Sequence, residues 1–153
     1  MEKEKTLSFG NARSLLCLYP SIIKKIEQLE DSIKKKAHKS KSHISPAELL
    51  CNEIIDEVYR CDGLRVLKNA IDEVLARFDE VEMHYFKVSY FRKKPSSDYV
   101  LDPGRLLSLT HKFALYCCYR GLDDVWFNDV ALKTYNEGIS RSKRTTVRLS
   151  DYY

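Results

Sequence analysis

The chain has 153 residues, 44% hydrophobic and 31% charged, with a net charge of +4. This excludes a disordered chain and suits one domain, which at this size buries about two-thirds of the surface its unfolded form exposes. No apolar run approaches the roughly 20 residues that span a bilayer, and the opening MEKEKTLSFGNARS mixes charges where a signal peptide is apolar. A cytoplasmic protein with no membrane partner is expected.

The charge is unevenly spread. Residues 1 to 47 carry +5, 48 to 82 carry −6, 83 to 120 carry +5, 121 to 138 carry −3 and 139 to 153 carry +3. Two readings fit such blocks: a protein with one face toward a polyanion and another toward a basic partner, or ordinary solvated helix surfaces.

In chain order, Pro20 suits a first helical turn, and Ile22, Ile26, Leu29 and Ile33 step along a helix over 20–37 that runs into the lysine-rich KKKAHKSKSH. Ser45 to Glu48, SPAE, reads as a capping box opening a helix over 46–60, with Leu50, Ile54 and Val58 as its stripe. Gly63 is expected to end that helix, and Leu64, Leu67, Ile71, Val74 and Phe78 form the core face of the next, over 64–77. Asp79 with Glu82 is a second cap and box, opening a helix to about Arg92 with Val81, Tyr85, Val88 and Phe91 on one side.

SDYVL, 97–101, is the only strand-like piece. Asp102 and Pro103 start a helix over 103–120 with Leu106, Thr110, Phe113 and Cys117 in line, closed by Gly121. Asp123 starts the last, over 124–136, with Trp126, Phe127 and Val130 as anchors and Gly138 as its end. The expected fold is an all-α, single-domain bundle of about six helices over 1–138. Residues 139–153 lack a stripe and read as a flexible basic tail, or as one folded back through Val147, Leu149, Tyr152 and Tyr153.

The sequence offers no catalytic constellation. Cys17, Cys51, Cys61, Cys117 and Cys118 lack CxxC spacing and read as small buried hydrophobes. His38, His43, His84 and His111 lack paired ligand spacing, and the isolated glycines form no phosphate loop. Glu80 and His84 make a helix-face pair. No catalytic residue, metal or cofactor is expected.

KNAIDEVLARFDEVEMHYFKVSYFRKKP, 68–95, joins an amphipathic helix through a cap to a helix with an aromatic, basic exit. Ile71, Asp72, Leu75, Glu82, Tyr90 and Phe91 carry its resemblance to the C-terminal DNA-reading region of sigma factors, and especially to small sigma-like regulators of Gram-positive bacteria, phages and mobile elements. LYPSIIKKIEQLEDSIKKKAHKSKS is similar to those regulators' N-terminal helical arm, so the likeness covers about 15–94. The 46–120 stretch would then be the sigma-like core.

Family members continue with a compact EIA..LG.S helix-turn-helix, and this chain has no such signature. The resemblance implies a DNA-binding transcription regulator working without catalysis, with RNA polymerase or another transcription protein as a further partner. Phosphate contacts would fall to Arg92, Lys93, Lys94, Arg105 and Lys112, with Arg141, Lys143 and Arg144 of the tail. Base contacts would come from the start of the 103–120 helix: Gly104, Arg105, Ser108, Leu109, His111 and Lys112. The competing reading is a protein-interaction module using the acidic 48–82 surface or the 20–37 helix. The bland reading of Arg92 to Lys94 is a solvated helix end that complements the helix dipole.

Overall fold

The first helix is longer than its punctuation suggests. In the computed structural model, which describes residues 6–41, 47–94 and 101–139, helix α1 spans Phe9–Lys41 with Pro20 inside it. Proline at a helix interior costs about 3 kcal/mol, because it removes a donor and crowds the preceding turn. Upstream burial outweighs that cost, since Ala12, Leu15 and Leu16 are fully enclosed and continue the face of Ile22, Ile26 and Leu29.

Helix α2 spans Ala47–Leu75 and likewise runs through Gly63. Cys61, Leu64, Leu67, Ile71 and Val74 are all buried on one side of it. That burial exceeds the roughly 1 kcal/mol a helical glycine forfeits. The upstream half departs from expectation: Ile54 is half-buried and Val58 exposed, and the inward residues there are Glu57 and Arg60. The Ser45 capping box lies outside the described residues.

α1 and α2 are antiparallel, as their cross-contacts show. Lys36 meets Glu57, Glu30 meets Arg65 at 2.8 Å, and Tyr19 donates to Asp72, so the α2 partners advance as the α1 residues recede. The segregated charge of the first 82 residues therefore has a local outcome. Lys36 also reaches Glu53 at 3.4 Å, Arg60 pairs with Asp56, Arg65 with Asp62 at 3.1 Å and Lys68 with Asp72 at 2.6 Å. Three of these cations belong to the acidic block itself, so in these pairs α1 offsets its negative excess only through Lys36.

Helix α3, Glu80–Ser89, opens with the expected capping box. The Glu82 amide donates to Asp79 Oδ1 at 2.8 Å, and the Asp79 amide donates to Glu82 Oε1 at 3.0 Å. Its inward residues are Glu82, His84, Tyr85 and Phe86. Val81 is exposed, while Val88 and Phe91 are half-buried. Helix α4, Pro103–Tyr119, is capped by Asp102, which accepts from the Gly104 amide at 3.1 Å. It ends where Gly121 takes φ +76° and the Leu122 amide returns to the Cys117 carbonyl at 2.9 Å.

The last segment begins with α5, Asp124–Trp126, passes through a π-helical turn at Phe127–Ala131 and ends as α6, Leu132–Ile139. Phe127 and Ala131 face inward, Trp126 is half-buried and Val130 exposed. Gly138 lies within α6 and does not end it, because the helix crosses α2 there. A Cβ on Gly138 would sit 2.7 to 2.9 Å from the Leu64 side chain, and one on Gly63 would meet Thr134 Cγ2 at 3.3 Å.

Among the described residues the architecture is all-helical, without strands. The strand-like stretch falls outside them except for Leu101, which is not helical, and the tail from residue 140 lies wholly outside. The core joins α1, α2 and α4 to a ring cluster in which Phe86 meets Phe78 at 5.1 Å and Phe113 at 6.1 Å. Offset and edge contacts of this kind hold the short α3 in place. No helix among the described residues is long and apolar enough to cross a membrane.

Candidate functional site

The basic exit of α3 folds back. Arg92 takes φ +55°, a left-handed conformation that non-glycine residues adopt at a cost. The Phe91 amide donates to the Phe86 carbonyl at 3.0 Å, and the Lys93 amide to the Lys87 carbonyl at 2.8 Å. These bonds satisfy late carbonyls of α3 and turn Lys93 onto a groove between α3 and α1.

That groove has a volume of about 410 Å³. Its apolar floor is Tyr19, Pro20, Ile23, Met83 and Phe91, with the Tyr19 and Phe91 rings 5.1 Å apart. Lys24, Lys87 and Lys93 stand along it against one acid, Glu27. Arg92 and Lys94 are exposed beside Lys93. None of these five cations makes an ion pair among the described residues. The Tyr19 phenol, which donates to Asp72, is pushed well above its ordinary range by burial and by the Asp72 carboxylate. It therefore stays a neutral donor that anchors the floor.

Arg105 and Lys112 belong elsewhere. Lys112 Nζ donates to Glu82 Oε2 at 2.7 Å and lies 5.3 Å from the Phe78 ring centre. Arg105 approaches the same oxygen at 4.0 Å. Burial raises the Glu82 carboxyl, but the Lys112 hydrogen bond, the Asp79 amide and the two nearby charges outweigh it and hold the group below its usual range. The Glu82 hydrogen bond in turn raises the Lys112 ammonium. These two cations join α3 to α4. The exposed start of α4 otherwise presents Gly104, Leu107 and Ser108, while His111 lies against Phe9 at 4.6 Å. Leu109 is buried.

Arg141, Lys143 and Arg144 lie outside the described residues. Lys24 and Lys87 were absent from the candidates, since each sits on a different helix and nothing in the spacing aligns them. A clue existed in the lack of any acid from Met83 to Lys94. Contrary to expectation, Cys17 and Cys51 are exposed and Cys118 is half-buried; Cys61 and Cys117 are buried. Burial pushes the Cys117 thiol up to about 12, which keeps it un-ionised and a poor nucleophile. No group of three metal-ligating side chains occurs among the described residues.

Comparison with family models, with curated proteins and with solved structures finds no match to this chain.

Proposed function

We propose that this protein is a small sigma-like transcription regulator that acts by binding DNA, without catalysis. The observation that carries the reading is the assembly of Lys24, Lys87 and Lys93 on one groove, extended by exposed Arg92 and Lys94. Cations that make no ion pair among the described residues and converge on one groove suit a phosphate backbone, where each contact releases counterions. The Tyr19 and Phe91 rings on the floor add apolar faces that the sugars of a DNA backbone can meet. The contact surface is then the end of α3 with the middle of α1, while Arg105 and Lys112 support the α3–α4 joint.

The test is fluorescence anisotropy with labelled duplex DNA. Affinity should fall steeply between about 50 and 200 mM salt, and the Lys24→Glu/Lys87→Glu variant should lose binding while its helix content holds. No binding at low salt would remove the reading.

A second reading draws on Pro20, Ile23 and Met83, an apolar floor that a phosphate backbone leaves unused. An acidic amphipathic helix from a partner protein would cover it, with its carboxylates on the three lysines. An acidic helical peptide that binds the parent but not the charge-reversed variant, where DNA binds neither, would decide for this module.

A further inference from the structure

Helix α4 turns toward water a face that carries almost no charge. Gly104, Ser108, His111, Leu115 and Tyr119 lie within about 40° of one line along the helix, at 3.6 residues per turn, and all five are exposed. Leu115 is 48% and Tyr119 68% exposed; Leu107, on the flank toward the start of α1, is 53% exposed. No carboxylate occurs in α4, and its two permanent cations, Arg105 and Lys112, turn aside to Glu82 of α3. On a chain that is 31% charged, such a face marks an interaction surface.

The face is complementary to itself. Its first half is small, Gly104 and Ser108, and its second half large, Leu115 and Tyr119. A Cβ on Gly104 would meet only Asp102, at 3.6 Å, so the hollow above it is open. An antiparallel copy centred between residues 111 and 112 sets Leu115 opposite Ser108 and Tyr119 opposite Gly104, since the members of each pair stand equally far from that centre on opposite sides. Each large side chain then enters the hollow over a small one, as rows spaced four residues apart interlock between helices.

We infer that the outward face of α4 pairs with the same face of a second copy, antiparallel about a two-fold axis beside His111. A two-fold interface brings identical surfaces together, so a charged face would repel itself and this one does not. A charged macromolecule finds little on it to pair with. The strip is about 25 Å long and, with the flanking start of α1, about 20 Å wide. The pair thus covers on the order of 1,000 Å², at the lower end for specific interfaces, which sets a reversible dimer with Kd on the order of 10 to 100 µM.

The experiment is sedimentation equilibrium of the full chain from roughly 1 µM to 1 mM, without DNA, so its outcome is independent of the α1–α3 groove. Expected is a reversible monomer–dimer equilibrium. Leu115→Lys and Ser108→Glu, both on the solvent side of the helix, should each weaken it at least about tenfold while leaving the unfolding midpoint of the dilute monomer unchanged. An equimolar mixture of the two variants should dimerise again, because Lys at 115 of one copy then faces Glu at 108 of the other and the second contact keeps its parent residues. The proposal is overturned if the parent stays monomeric up to roughly 1 mM, if Leu115→Lys dimerises undiminished, or if the mixture shows no recovery. A monomer in which Leu115→Lys shifts the amide resonances of residues 140–153 would give the face to the chain's own tail and likewise overturn the dimer.

Discussion

Lys112 Nζ lies 2.7 Å from Glu82 Oε2, and the other oxygen of the same carboxylate closes the capping box on the Asp79 amide at 3.0 Å. One buried side chain thus starts α3 and fastens it to α4. Glu82→Ala should cost about 1 to 3 kcal/mol, because a cap and a charge-assisted hydrogen bond are lost together. The folded carboxyl titrates below its unfolded value of about 4.3, so its stabilisation is complete above that pH and is lost as pH falls through the folded value. Lys112 is shifted upward, so its share is complete below about 10.4 and lost as pH rises through the folded value. Urea unfolding across the acid range should show a shallower decline in Glu82→Gln than in the parent. Identical acid limbs would refute the coupling.

Gly138 permits the crossing of α6 over α2. In an open helix, Gly→Ala gains up to about 1 kcal/mol, but here the new Cβ would sit 2.7 to 2.9 Å from Leu64. Overpacking of this kind costs about 1 to 3 kcal/mol, so Gly138→Ala should lower stability. Adding Leu64→Ala makes room for the new methyl, and the double variant should be more stable than the sum of the two losses predicts. Chemical denaturation of the four proteins in this cycle measures the coupling; strict additivity would mean the two residues do not meet.

Salt dependence separates the two groups of cations. Lys24→Ala and Lys87→Ala should each weaken DNA binding and reduce the salt slope by roughly one unit, as each removes a phosphate contact. Lys112→Ala should lower the unfolding midpoint and leave the slope unchanged, because its ammonium is held by Glu82. A flattened slope in folded Lys112→Ala would place DNA on α4 instead.

Arg92 sits in a conformation that glycine adopts freely. Arg92→Gly should therefore leave stability unchanged or raise it by up to about 1 kcal/mol, since relief of strain is partly offset by greater freedom in the unfolded chain. DNA affinity should fall nonetheless. A strained arginine whose removal harms only binding is explained by its charge. A large loss of stability would instead assign its side chain a structural role.

Inward and outward residues on neighbouring helices should respond very differently. Ile71 is fully enclosed, and Ile71→Ala should cost about 2 to 5 kcal/mol through lost burial and the cavity left behind. Val81, 44% exposed, should tolerate alanine to within about 0.5 kcal/mol. Thermal unfolding of both variants checks the orientation of α2 and α3 at once.

Several features were legible in the sequence because they depend on neighbours a few residues apart. The caps at Asp79, Asp102 and Asp123 each need only a carboxylate and an amide two or three positions on, and all three form. The stripe Leu64, Leu67, Ile71 and Val74 is buried as its spacing implied, since a long apolar face must be covered by something. Helix ends were less legible. Pro20 and Gly63 carry local penalties of a few kcal/mol at most, and burial against distant helices outweighs them.

The candidate site was half visible. Arg92, Lys93 and Lys94 form a run that any reader of the chain meets, whereas Lys24 and Lys87 are 63 positions apart and meet only because α1 lies against α3. The same limit governed the charge blocks. Composition alone left open whether 48 to 82 offers an acidic surface. Antiparallel packing decided that Glu57 faces Lys36 and that Arg65 faces Glu30, because it brings these side chains of adjacent helices within ion-pair distance. The sequence by itself determined that this protein is helical, where three of its helices begin and which residues form much of its core, all consequences of short-range hydrogen bonding and apolar periodicity. Only the tertiary structure decided which cations are neutralised and which stand together, because electrostatic pairing follows distance in space, and the order of residues along the chain does not specify it.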